Sequence, residues 1–411
     1  MESTELANKR LINGPSILLI LSIVFSYYYI DLGFALKPYM ILSIFFFIFS
    51  FKKIYINRFR VYEVTLFIFF LYFCLTGFFA KYPSYSLRMI IGVLLVLFCY
   101  LIMRYIFSLS SINNIEKSIL IGGIIYNGLS LVLYLVGLIS LGFVTEGNQI
   151  DAYGVTIDRN LPRLTGLTED PNVFVFFNLV FFFYYLTHLK IKWAKVGLIL
   201  STISILLTLS RGGILAVIFG LIIMFFSANI RQKIYMTIFI PISIIILNYI
   251  SKITLKLDLI NTAIERFSTS DSGSGRADLW LHGLQFFYDN PIFGIGIFNF
   301  LPYSVTEFGL PVYMHSAFID SLVEGGIIGF FLYILVFIIF IITYYVNREK
   351  ITDKGYILFA FVGMIVMMNT YSLMINEAFY LLLALMWRYL YEVRVSGKNI
   401  RPIINNYPYA I

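Results

Sequence analysis

An arginine stands between two apolar runs at Leu209-Ser210-Arg211-Gly212-Gly213. A guanidinium at membrane depth is costly unless it is paired or used. The two glycines let backbone approach a ligand, and the apolar run that begins there offers free N–H groups and the positive end of a helix dipole. Together these make an anion site, with phosphate the natural ligand. An interfacial arginine snorkelling to water beside a tight turn fits the same residues. A second cation, Arg276, follows Ser272-Gly273-Ser274-Gly275 and opens a helical pattern that ends at Asp289-Asn290-Pro291. Trp280, Leu284 and Phe287 form an apolar stripe with Gly283 beside it, and Asp278, His282, Gln285 and Asp289 form a polar stripe on the opposite side. That pattern predicts a helix lying along a membrane surface, with Arg276 at its start either reaching an anionic group or simply solvated.

His315-Ser316 lies where a polar segment enters the apolar run that carries Gly325, Gly326 and Gly329. A histidine there is suited to act as a base near neutral pH, or to cap the helix end. Gly325 and Gly329 form a small-xxx-small pattern, which by itself indicates close helix packing. Asp320 and Glu324, four residues apart, could bind sugar hydroxyls, orient His315 or face water. Upstream, Asp170-Pro171 is a good N-cap and first-turn pair, and Arg163 could contact a glycan or phosphate or pair with Glu169. No metal-ligand spacing and no Gly-x-x-x-x-Gly-Lys loop is present, so no metal and no cofactor is expected.

The elements that must position these residues follow from composition. The chain is 60% hydrophobic and only 13% charged over 411 residues. A soluble domain is about 25% charged, and disorder needs far less apolar content. What remains is an all-α polytopic membrane protein, a single integral membrane domain over 1–411. Apolar runs suggest about twelve transmembrane helices, centred on 13–30, 38–51, 61–80, 88–103, 118–142, 172–188, 195–209, 213–228, 234–251, 318–346, 356–375 and 378–393. Numbering alternate segments from a cytoplasmic N-terminus puts nineteen Lys and Arg on the inner side and nine on the outer. This excess predicts that both termini are cytoplasmic. It also accounts for the net charge of +8 without nucleic acid. Two long extracytoplasmic loops, 143–171 and 252–317, hold most of the candidate residues and are the expected active site. Cys74 and Cys99 lie in apolar runs, which gives no support to a disulfide framework or a zinc site. The N-terminal segment has no small-residue cleavage site, so no removable signal peptide is expected.

Taken in order, Ser210-Arg211-Gly212-Gly213, Gly275-Arg276 leading to Gly294-Ile295-Gly296, and His315-Ser316 spaced to Gly326 and Gly329 resemble the O-antigen ligase and O-antigen polymerase superfamily. Asp170-Pro171-Asn172 is similar to a motif of its polymerase-type members. The resemblance covers about 160–330. It implies a GT-C-like fold in the bacterial inner membrane and an inverting, metal-independent glycosyltransferase with its active site on the periplasmic face. The donor it implies is an undecaprenyl-diphosphate-linked glycan, and the acceptor a second lipid-linked repeat unit. The bilayer and a chain-length regulator are the further partners. By this resemblance Arg211 and Arg276 are catalytic, and with Gly212 and Gly213 they bind the diphosphate. His315 is the catalytic base. Arg163, Asp170, Asp278, Asp320 and Glu324 bind glycan or support the site. The polymerase is the expected activity. A ligase that delivers glycan to lipid A core is the alternative, and a polysaccharide transporter or flippase is the alternative from another class. A transporter would carry charges in the middle of several spans, whereas here they fall mostly near span ends.

Overall fold

A computed structural model describes residues 14–32, 34–55, 57–144, 146–227, 230–254, 258–268, 276–309 and 311–397. Ser272-Gly273-Ser274-Gly275, Lys256 and both terminal segments lie outside the described residues, as does the side chain of Arg394.

The fold is mostly helical. The first half holds α1 (Gly14–Val24), α2 (Pro38–Ser50), α3 (Val61–Thr76), α4 (Pro83–Leu109), α5 (Ile112–Ser140), α6 (Pro171–Thr187), α7 (Lys192–Leu207) and α8 (Arg211–Ser227). The second half holds α9 (Ile230–Ile234), α10 (Ile240–Thr254), α11 (Leu259–Ser268), α12 (Arg276–Asp289), α13 (Phe300–Phe308), α14 (Ala317–Asn347), α15 (Tyr356–Met368) and α16 (Glu377–Gly397). α6 is apolar all round and almost every residue is buried, as expected of a central helix. α15 and the first part of α16 are buried with it. On the outer helices, large apolar side chains such as Phe49, Phe79, Phe226 and Ile245 face outward. Water would not tolerate that surface, and lipid does.

Among the described residues, five helical stretches are long and apolar enough to cross a membrane: Val61–Phe79, Pro83–Leu109, Ile112–Ser140, Met236–Ile253 and Ala317–Lys350. The sequence suggested about twelve. Several of the other runs form shorter apolar helices, including Gly14–Val24, Pro171–Thr187 and Arg211–Ser227. The run read as 356–375 stops at Met368, and Asn369–Asn376 is a turn.

The two long loops are folded rather than open. The first holds an antiparallel sheet of β3 (Ile150–Ala152), β4 (Val155–Asp158) and β5 (Leu161–Leu164), after a short hairpin of β1 (Ile30–Asp31) and β2 (Ala35–Leu36). Arg159 and Asn160, both at positive φ, make the two-residue turn between β4 and β5. The second loop holds α11, α12 and α13. α12 packs through the side that carries Trp280, Gly283 and Phe287, and Asp278, Gln285 and Asp289 of its polar stripe are exposed, whereas His282 is packed. Gly283 and Phe286 are its buried residues, Leu281 is exposed, and His282 stacks on Phe308 at 3.9 Å between ring centroids.

α14 is broken at Gly326, where φ is 66° and ψ is −169°. A break at membrane depth frees backbone groups that need partners. The segment after α12 supplies them: Ile295 N donates to Val323 O and Gly296 N to Glu324 O, both at 3.0 Å, while Ile327 N donates to Pro291 O at 2.9 Å. The Tyr72 hydroxyl donates to Gly325 O at 2.7 Å. A Cβ at Gly294 would lie 2.5 Å from Glu324 backbone, and one at Gly326 2.2 Å from Ile292 O. These glycines therefore join two distant backbones.

Candidate active site

The turn into α8 is built on Ser210. Its hydroxyl accepts from Gly213 N at 3.0 Å, capping the helix, and donates to Asn172 Oδ1 at 2.6 Å. Asn172 in turn donates its backbone and side-chain N–H groups to Asp170 Oδ1, at 2.6 and 2.8 Å. Asp170 thus caps α6 as Ser210 caps α8, and the chain Asp170–Asn172–Ser210 binds two helix N-termini together. Their positive dipole ends converge on one region. Arg163 fixes the sheet to the same place. Its Nε donates to Thr208 O at 3.0 Å, and its guanidinium pairs with Asp158 at 3.0 Å rather than with Glu169.

Arg211 is the first residue of α8. Gly212 and Gly213 are close-packed: their Cβ positions would lie 2.7 Å from Thr370 Oγ1 and 2.8 Å from Val175. The glycines therefore have a packing reason, which is the approach of α8 to α6 and to the 369–376 turn.

Tyr371, next to Thr370, lies against His315 with ring centroids 5.5 Å apart. His315 holds a left-handed backbone at φ 52°, which is strained for a residue with a side chain. Both its neighbours are pinned. Trp280 Nε1 of α12 donates to Met314 O at 2.9 Å, and the Ser316 hydroxyl caps α14 by accepting from Ile319 N. The half-buried imidazole has its pKa lowered from 6.5, first by burial and then by the positive charge of Arg276, against an opposing pull from Asp170. It is therefore neutral at neutral pH and able to accept a proton. Burial, Asp170 and Glu169 push the Tyr371 hydroxyl well above its ordinary value, while Arg276 and Arg163 act the other way. The structure thus brings Arg276, His315, Asp170 and Arg163 around Tyr371, with Arg211 one helix start away.

The remaining candidates divide. Asp320 lies near Ser372, in the same turn as Tyr371. The Glu324 carboxylate is committed to backbone, accepting from Phe298 N at 2.8 Å and Phe300 N at 3.1 Å, and so holds the segment that splints α14. Asp278 is exposed on the outer side of α12. Sequence reasoning missed Tyr371, Ser372 and the positioning role of Trp280. Tyr371 sat inside an apolar window, and only Asn369 and Asn376 around it signalled a turn.

Residues 196–334 match a family model described as O-antigen ligase. The chain carries an O-antigen ligase family domain. The matched segment, about a third of the chain, contains Arg211, Arg276 and His315. Arg163, Asp170, Asn172 and Tyr371 of the same site lie outside it. None of the curated proteins compared matches the chain.

Proposed function

We propose that this protein is a polymerase of bacterial surface polysaccharide. In this reading it transfers a growing glycan from undecaprenyl diphosphate to a lipid-linked repeat unit on the periplasmic face of the inner membrane. One observation carries the reading: half-buried His315, held at φ 52° against Tyr371 with ring centroids 5.5 Å apart, stands close enough to Arg276 and Asp170 to feel both charges. His315 takes the proton of the acceptor hydroxyl as that oxygen attacks the anomeric carbon. The bond from that carbon to the diphosphate oxygen breaks, and its electron pair leaves with the diphosphate. Arg276 and Arg211 supply fixed positive charge where that negative charge grows, aided by the N-termini of α6 and α8. A single displacement inverts the anomeric centre. Asp320 and Arg163 are proposed to border the glycan. The Lys and Arg distribution supports cytoplasmic termini and an outward-facing site.

The ligase reading, with lipid A core as acceptor, is favoured by the description of the matching family. A deletion strain separates the two. A polymerase leaves single repeats attached to lipid A core, and a ligase leaves no attached glycan. A strain with wild-type long chains would refute both.

A further inference from the structure

The helices that meet at the candidate site border a cavity at their other ends. α6 (Pro171–Thr187) and α8 (Arg211–Ser227) run away from the candidate site, and α15 (Tyr356–Met368) returns toward it. At about 1.5 Å per residue, the 17 residues of α6 set the two ends roughly 25 Å apart. At the far end a cavity of about 810 Å³ opens between these helices and α14. Its charged lining is Lys190, Lys195, Arg231 and Lys354 against Glu116 and Asp353. Lys354 is bonded to Glu116, so that pair is neutral within itself. No salt bridge among the described residues neutralises Lys190, Lys195 or Arg231. Met224, Tyr344 and Phe359 give the cavity an apolar wall.

Orientation in a membrane requires cations near helix ends, but not around one cavity. Here three come from three segments: the turn after α6, α7 and α9. The volume is that of a small-molecule site. Cations at a rim, an apolar wall behind and a place at the helix ends match a lipid headgroup at the bilayer surface. We propose that this cavity binds the phosphate-bearing headgroup of an anionic membrane lipid. The site is independent of the transfer reaction.

The test uses the full chain purified in detergent, with lipid retention read by native mass spectrometry and thermal stability read alongside. Phosphatidylglycerol is expected to be retained and to raise the melting temperature, and phosphatidylcholine to do neither. Three surface cations contribute enough that K190Q/K195Q/R231Q should weaken retention about a hundredfold. K52Q/K53Q, at residues that do not line the cavity, should leave retention unchanged. Equal retention by the triple variant overturns the proposal. So does equal protection by inorganic phosphate, because the ligand would then be phosphate and not lipid. If the triple variant does not fold, the wild type alone still decides. Retention should be lost at roughly 0.5 M salt, and salt-insensitive retention refutes the site.

Discussion

The two ends of one helix set carry cations in different surroundings. At the far end, cations are either held by backbone and rings or open to solvent. Arg104 is buried between the rings of Trp387 and Phe59 at 4.4 and 4.8 Å and pairs with Glu63 at 3.0 Å. Arg388 caps the end of α4 by donating to Phe107 O and Ser110 O. Lys190, Lys195 and Arg231 are exposed around the cavity. At the other end, Arg276 is partly buried and its field reaches a neutral histidine. A charge is worth more where water is partly excluded. The sign of the charge is the same at both ends, and the difference is that Arg276 acts on a histidine that we propose to be the proton acceptor.

The sharpest way to break this contrast is to remove cations from each end. Arg276→Ala and Arg211→Ala should each lower glycan transfer by about a hundredfold or more at normal membrane levels. K190Q/K195Q/R231Q should leave transfer within about twofold. Polymer formed per unit of inserted protein measures both, and equal losses would end the distinction. Next in size is Glu324→Ala, which leaves two backbone N–H groups without their side-chain acceptor. It should cost about 3 kcal/mol, seen as a lower thermal midpoint, whereas Asp320→Asn should keep the midpoint and change KM. Trp280→Phe removes one hydrogen bond to the residue before His315. It should lower kcat several-fold for about 1 kcal/mol, with KM little changed. The smallest effect is on pH. Asn also caps helices, so Asp170→Asn keeps α6 intact but removes a charge that favours protonated His315. The acid limb of kcat/KM should move to lower pH, by less than about one unit.

The candidate site residues stand out in the sequence because ions are rare in this chain. Arg211, Arg276 and His315 each interrupt apolar or small-residue sequence, and a charge there demands a reason. The aromatic at 371 was hidden by the opposite logic, since a tyrosine in an apolar window reads as lipid-facing or interfacial. The glycines at 212, 213, 294 and 326 read as freedom for ligand approach, yet their neighbours are Thr370, Val175, Glu324 and Ile292. Sequence spacing shows that backbone must come close to something, and only the fold shows what. The helical membrane class followed from composition. Among the described residues, five of the runs form helices long and apolar enough to cross a membrane, and others, such as Pro171–Thr187 and Arg211–Ser227, form shorter apolar helices.

The central claim is that His315 is held neutral as the base of glycan transfer. The direct measurement is the pH dependence of transfer by purified wild-type protein and by His315→Gln. The account predicts that wild-type kcat/KM falls on the acid side with a midpoint below the ordinary histidine value of 6.5, and that folded His315→Gln has almost no transfer at any pH. Transfer by His315→Gln at the wild-type rate, or an unchanged acid limb in that variant, would contradict it.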